Sequence, residues 1–117
     1  MNKAKIEFYD SSRRVGSDMY VSFYASGIVG FSGAIASIFR ENKTLNLKVG
    51  WAEPKLYFFL DMPEPNLVLS RAGNRYTASA TGFLKQFKLE GFIGNRHDAE
   101  YDEENKCIIV KLEKKDG

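Results

Sequence analysis

Short runs of strict two-residue alternation, two places where the apolar spacing turns helical, and Gly/Pro/Asn/Asp clusters between them predict a mainly β domain with two short helices. The expected class is α+β: a compact, barrel-like domain built from two similar strand-helix-hairpin halves. The chain has 117 residues, 44% hydrophobic and 14% aromatic. That suffices for one domain, 1–117, to bury a core without disulfide or metal staples, and it excludes a chain disordered by low hydrophobicity. The halves span approximately 19–62 and 66–113, with an extra N-terminal strand at 3–9.

In residues 3 to 9, Ala4, Ile6 and Phe8 share one face, and Lys3, Lys5 and Glu7 the other. Ser11 to Asp18 reads as a polar loop, and a strand follows near 19 to 24. Gly27 allows a tight bend, Ile28–Phe31 form a short strand, and the Ser32 hydroxyl is placed to cap a helix over Gly33–Arg40, with Asn42 as terminator. Leu45, Leu47, Val49 and Trp51 alternate with polar or small residues in the clearest strand. After the turn Ala52–Lys55, Leu56 to Leu60 is apolar throughout, so this strand is either covered on both faces or turned toward an oligomer partner. Pro63 and Pro65 mark the internal boundary. Beyond them come a strand near Leu67–Leu69, a turn at Ala72-Gly73-Asn74, a strand near Tyr76–Ser79 and a helix over Thr81–Leu89. A closing hairpin has arms His97–Tyr101 and Cys107–Leu112.

The halves share a pattern. Ser32-Gly33-Ala34-Ile35 with Ile38 parallels Thr81-Gly82-Phe83-Leu84 with Phe87. The turn after Trp51 parallels the one after Tyr101 with one residue inserted. Neither half buries a core easily alone, so the two are expected to pack or interlock as a pseudo-dimer.

Chemical machinery is sparse. The chain has one His and one Cys, and lacks Cys-x-x-Cys and His-Glu-x-x-His, so no metal, no cofactor and no small-molecule ligand is expected. Gly27, Gly30 and Gly33 do not make a phosphate-loop fingerprint. His97 and Asp98 are adjacent on a strand and point to opposite faces, so they are a poor acid/base pair, and His97 is expected at the surface. Asp98, Glu100, Asp102 and Glu104 alternate, but Glu103 falls where a calcium loop needs glycine, and an acidic hairpin is the expectation. No enzyme is predicted. Cys107, inside an apolar strand, and the absence of a signal-like apolar run in Met1–Glu7 point to a cytoplasmic setting. Tyr20–Phe39 carries no charge over a bilayer-spanning length, yet its serines, glycines and change of period argue against membrane insertion.

The net charge is only +2, but its distribution is uneven. Arg71, Arg75, Lys85, Lys88 and Arg96 face only Glu90 between 71 and 96, and Arg13-Arg14 is a second cluster. These groups either meet nucleic-acid phosphates or pair with the acidic hairpin across the sheet. Tyr20, Tyr24, Tyr57 and Phe59 would stack on bases if exposed, with packing in the core or at a dimer interface as the alternative.

Gly27-Ile28-Val29-Gly30-Phe31-Ser32, followed by Ile35, Phe39, Leu47-Lys48-Val49 and Leu56-Tyr57-Phe58-Phe59, resembles the AbrB-like family in spacing over 27 to 60, and again over 76 to 112. The resemblance implies an interlocked, swapped-hairpin barrel, a homo-oligomer, and binding to duplex DNA in transcription regulation. Ile28 stands where that family has Arg, Ser32 where it has Pro, and Ala36 and Ser37 where basic residues are frequent. In the second copy Thr77 and Thr81 take the Arg and Pro positions. The expected function is therefore a non-enzymatic DNA-binding regulator contacting DNA through Arg13, Arg14, Arg71 and Arg75. The alternative is a protein-interaction module that adds an exposed Leu56 to Leu60 edge to a partner's sheet, without binding nucleic acid.

Overall fold

The computed structural model describes residues 19–112. The strand expected at 3–9 lies outside them. Nine strands and two α-helices follow in order: β1 (Tyr20–Phe23), β2 (Ile28–Phe31), α1 (Gly33–Glu41), β3 (Asn46–Ala52), β4 (Lys55–Leu60), β5 (Leu67–Val68), β6 (Ser70–Ala72), β7 (Arg75–Ser79), α2 (Thr81–Gln86), a 3-10 turn at Glu90–Phe92, β8 (Arg96–Asp102) and β9 (Cys107–Lys111). The chain is mainly β, and its strands form one sheet in the order β5-β3-β4-β9-β8-β1-β2-β7-β6.

The two ends of that sheet, β5 and β6, are separated in sequence by Leu69 alone. The segment pairs first with β3, through Leu67 opposite Leu47, and then with β7, through Ser70 opposite Thr77. One bent stretch of chain thus curls the sheet into a nearly closed barrel. Leu69 sits at the bend, donates its N–H to the Leu45 carbonyl at 3.0 Å and buries its side chain. Just upstream, Asn66 extends the ladder with its side chain: the Val49 N–H donates to Asn66 Oδ1 at 2.8 Å, and Asn66 Nδ2 donates to the Val49 carbonyl at 3.1 Å. A side-chain amide here does the work of a strand residue and leaves neither backbone group of Val49 unpaired.

Alternation sends Val21, Phe23, Val29, Leu47, Val49, Leu56, Phe58, Leu60, Tyr76, Ala78, Ile108 and Val110 inward. Aromatic contacts thread this interior. Phe39 of α1 meets Tyr76 at 5.4 Å and Phe31 at 5.0 Å between ring centroids; Phe31 meets Phe58 at 5.4 Å, and Phe58 meets Phe83 of α2 at 6.0 Å, all edge-to-face. Each such pair contributes about 0.5–1.5 kcal/mol beyond area burial. The chain of rings ties both helices to the same strands.

Several expectations change. The strand at Leu56–Leu60 is not an edge, because β4 lies between β3 and β9. Its apolar run still alternates: Leu56, Phe58 and Leu60 are buried, while Tyr57 and Phe59 stand half-buried on the outer face with parallel rings 5.9 Å apart. The helix expected to reach Leu89 stops at Gln86. Lys88 adopts φ +59, the Leu89 N–H reaches back to the Leu84 carbonyl at 2.7 Å, and the Lys88 N–H reaches Lys85 at 3.2 Å. That is the Schellman arrangement with lysine in the position usually held by glycine. α1 ends the same way, with Lys43 at φ 52 and the Thr44 N–H on the Phe39 carbonyl at 2.9 Å.

Ser32 precedes α1 without capping it. Its hydroxyl accepts from the Tyr20 N–H at 3.1 Å, prolonging the β1–β2 ladder. Thr81 is the first residue of α2 rather than its cap, and its hydroxyl donates to the Gly27 carbonyl at 3.5 Å. Gly27, at φ +86, leaves no room for a β-carbon against Thr81, so the β1–β2 turn requires glycine. The β3–β4 and β8–β9 turns differ by two residues, not one, since Ala52 pairs with Lys55 and Asp102 with Cys107.

Asn66→Ala removes both bonds that close the ladder onto Val49. It is expected to lower unfolding free energy by about 2 kcal/mol and to accelerate amide exchange at Val49, measured by urea titration and hydrogen-exchange NMR, without changing the fold.

Candidate nucleic-acid interface

Of the four arginines singled out from sequence, Arg13 and Arg14 lie outside the described residues. Arg71 and Arg75 share the β6–β7 hairpin, where every residue from Ser70 to Arg75 is exposed. They do not form one patch. Ala72 pairs with Arg75 and Arg71 with Tyr76, so the two arginines leave opposite faces of the ribbon. Arg71 folds back at the barrel rim: Nε donates to the Gly73 carbonyl at 2.9 Å, and the guanidinium lies 5.7 Å from the centroid of the buried Tyr76 ring. Arg75 projects on the outer face, together with Thr77 and Ser79.

The register carries that outer face across five strands. Ser70 is opposite Thr77, Thr77 opposite Gly30, Gly30 opposite Ser22, and Ser22 opposite Arg96. The row runs β6-β7-β2-β1-β8 and consists of small residues ending in a guanidinium. Two tyrosines flank it. Tyr20 lies opposite Asp98, and the Arg96 guanidinium is 4.5 Å from its ring centroid, a cation–π contact. Tyr24, 48% exposed, lies over Gly30; a β-carbon there would come 2.9 Å from Tyr24 Cε2. Arg96 was not among the predicted site residues. The sequence showed it only as one of the basic residues between 71 and 96; its place beside Tyr20 comes from pairing between β8 and β1, strands more than seventy positions apart in the sequence.

The alternative in which the basic residues pair with the acidic hairpin does not hold for the described arginines. Among the described residues, Arg71, Arg75 and Arg96 form no ion pair. Arg71 and Arg96 instead engage a carbonyl and neutral rings. Asp102 turns inward on its own loop, accepting from Asn105 Nδ2 at 2.7 Å and from the Asn105 N–H at 3.2 Å; these bonds hold its carboxyl below the ordinary value. Asp98 and Glu100 are exposed on β8.

His97 departs from its expected surface position. It points inward beside Phe23 and Phe92, at 5.4 and 5.5 Å between centroids, and Nε2 lies 3.1 Å from the Phe92 carbonyl, to which it donates. A half-buried imidazole held this way serves as a strut between β8 and the 3-10 turn. A groove of about 570 Å³ between Trp51, Phe87, Leu89, Phe92 and Leu112 carries Glu53 and Lys88 at its margin. Trp51 and Phe87 stack there at 6.5 Å.

Cys107 is 1% exposed, and burial pushes its thiol from 9.0 up to about 11. The folded state therefore holds the thiol neutral where an unfolded chain would ionise. The resulting stabilisation is complete below pH 9 and is lost as pH rises toward 11. Urea midpoints measured from pH 8 to 11 are expected to fall more steeply for the native sequence than for Cys107→Ala, the difference arising between pH 9 and 11.

Compared with known proteins, the chain matches no family model, no curated protein and no solved structure.

Proposed function

We propose that the chain is a non-enzymatic DNA-binding protein that contacts phosphates through Arg75 and Arg96 on the outer face and through Arg71 at the rim of the β6–β7 hairpin, and acts in transcription regulation. The observation that carries the DNA contact is the lack of carboxylate partners for these three guanidiniums among the described residues. Near-neutral net charge is compatible with it: Asp98 shares the outer face with Arg96, but Glu100 to Glu104 lie farther along β8 and its turn, away from the β6–β7 hairpin. The Arg71 and Arg96 guanidiniums, already oriented by a carbonyl and by rings, lose little side-chain freedom on meeting phosphate, and they keep N–H donors for it. The regulatory role rests on the resemblance in spacing to AbrB-like proteins alone. The alternative that used an exposed β4 edge loses its basis, since both neighbours of β4 are in place.

Affinity for a fluorescein-labelled oligonucleotide, followed by anisotropy at several KCl concentrations, is expected to fall with a log–log slope of about −3. Replacing Arg71 and Arg75 together by alanine should flatten the slope by about 2. Absence of binding at low salt to both duplex and single-stranded DNA contradicts the proposal.

A further inference from the structure

We propose that the preferred ligand of the β1–β2–β7 face is single-stranded DNA, with a base stacked on Tyr24 and the backbone held by Arg75 and Arg96. This rests on the DNA-binding reading and specifies the form of the ligand. The shape of the face comes first. Its central row, Ser22, Gly30 and Thr77, is made of small residues, and the larger side chains of Tyr20, Tyr24, Ile28, Arg75, Arg96 and Asp98 stand around it on the same outer face. Bases of a duplex present only their edges, at the bottom of a major groove roughly 8.5 Å deep. A floor without a protruding helix does not reach them. Unpaired bases present a π face, and a flat sheet carrying an aromatic ring is matched to it.

Tyr24 supplies that ring. The side chain lies across Gly30, with Cε2, the hydroxyl and Cζ at 2.9, 3.3 and 3.6 Å from the position a β-carbon would take. The missing β-carbon is what lets that edge of the ring rest on the sheet. The ring meets Gly30 along its Cε2–hydroxyl edge, so Gly30 covers neither π face and the residue stays 48% exposed. A base landing there displaces water from a ring already immobilised, so little rotamer freedom is lost on binding. The charges fit the same occupant. Arg96 and Arg75 stand at the two sides of the row without carboxylate partners among the described residues, and the Ser22 and Thr77 hydroxyls between them both donate and accept, which suits contact with any base.

The test compares a labelled single strand with its duplex, by anisotropy at fixed low salt, for the full chain and three variants. The single strand is expected to bind about tenfold or more tightly than the duplex. Tyr24→Ala should remove about that factor for the single strand while leaving duplex affinity and the salt slope unchanged. Tyr24→Phe keeps the ring and should keep the affinity. Gly30→Ala puts a methyl where the ring rests and should mimic Tyr24→Ala, with an unchanged thermal midpoint showing that the barrel persists. Equal affinity for both forms, with Tyr24→Ala silent, overturns this inference and leaves the DNA-binding reading in place. No binding to either form at low salt overturns both.

Discussion

The double service of the segment from Asn66 to Ala72 is the constraint on which the rest of the structure depends. Its first residues pair with β3 and its last with β7, with Leu69 at the bend. Without that closure the sheet would have two open ends, exposing both the β3 ladder and the inner face of the β6–β7 hairpin. The Asn66 amide matters because two residues of β5 cannot by themselves occupy the β3 edge as far as Val49. With the ring closed, the aromatic chain from Tyr76 through Phe39, Phe31 and Phe58 to Phe83 has a continuous wall around it.

Closure also determines where charge goes. The β6–β7 hairpin is brought beside β2, and β8 beside β1, so Arg75 and Arg96 come to flank one face although 21 positions separate them in sequence. Asp98 shares that face, opposite Tyr20, while Glu100 to Glu104 lie farther along β8 and its turn. A formal charge of +2 therefore conceals a partial separation of the two signs. Neutral partners orient two of the guanidiniums and Asn105 occupies Asp102, so the opposite charges are not spent on each other.

Much of the fold was legible because alternation survives burial. β1 to β4 and β7 to β9 lie within a few residues of their expected places, and both helices start at their expected positions. What was not legible has specific causes. Tyr57 and Phe59 are aromatic on an outer face, which made a one-sided strand look two-sided. Lysine in a left-handed turn hides the end of α2, because sequence patterns look for glycine there. The Ser32 hydroxyl serves the adjacent strand, a partner no local rule supplies. Arg71 and Arg75 are four apart, which in an unbroken strand means one face; the turn at Gly73-Asn74 reverses the chain and the parity with it. Of the candidate site, Arg75, Tyr20 and Tyr24 were visible as residue types. Their assembly with Arg96 was not, since it depends on strand pairings far apart in the chain.

The proposed DNA contact uses one face of the barrel and not the opposite one. Titrating isotopically labelled protein with a short unlabelled DNA strand and following backbone amide shifts tests this directly. The largest changes are expected at Ser22, Tyr24, Gly30, Thr77, Arg75 and Arg96, with Tyr57, Phe59 and Ile109 unmoved. Perturbations centred on the Tyr57–Phe59 side of the sheet, or none on either side, would contradict it.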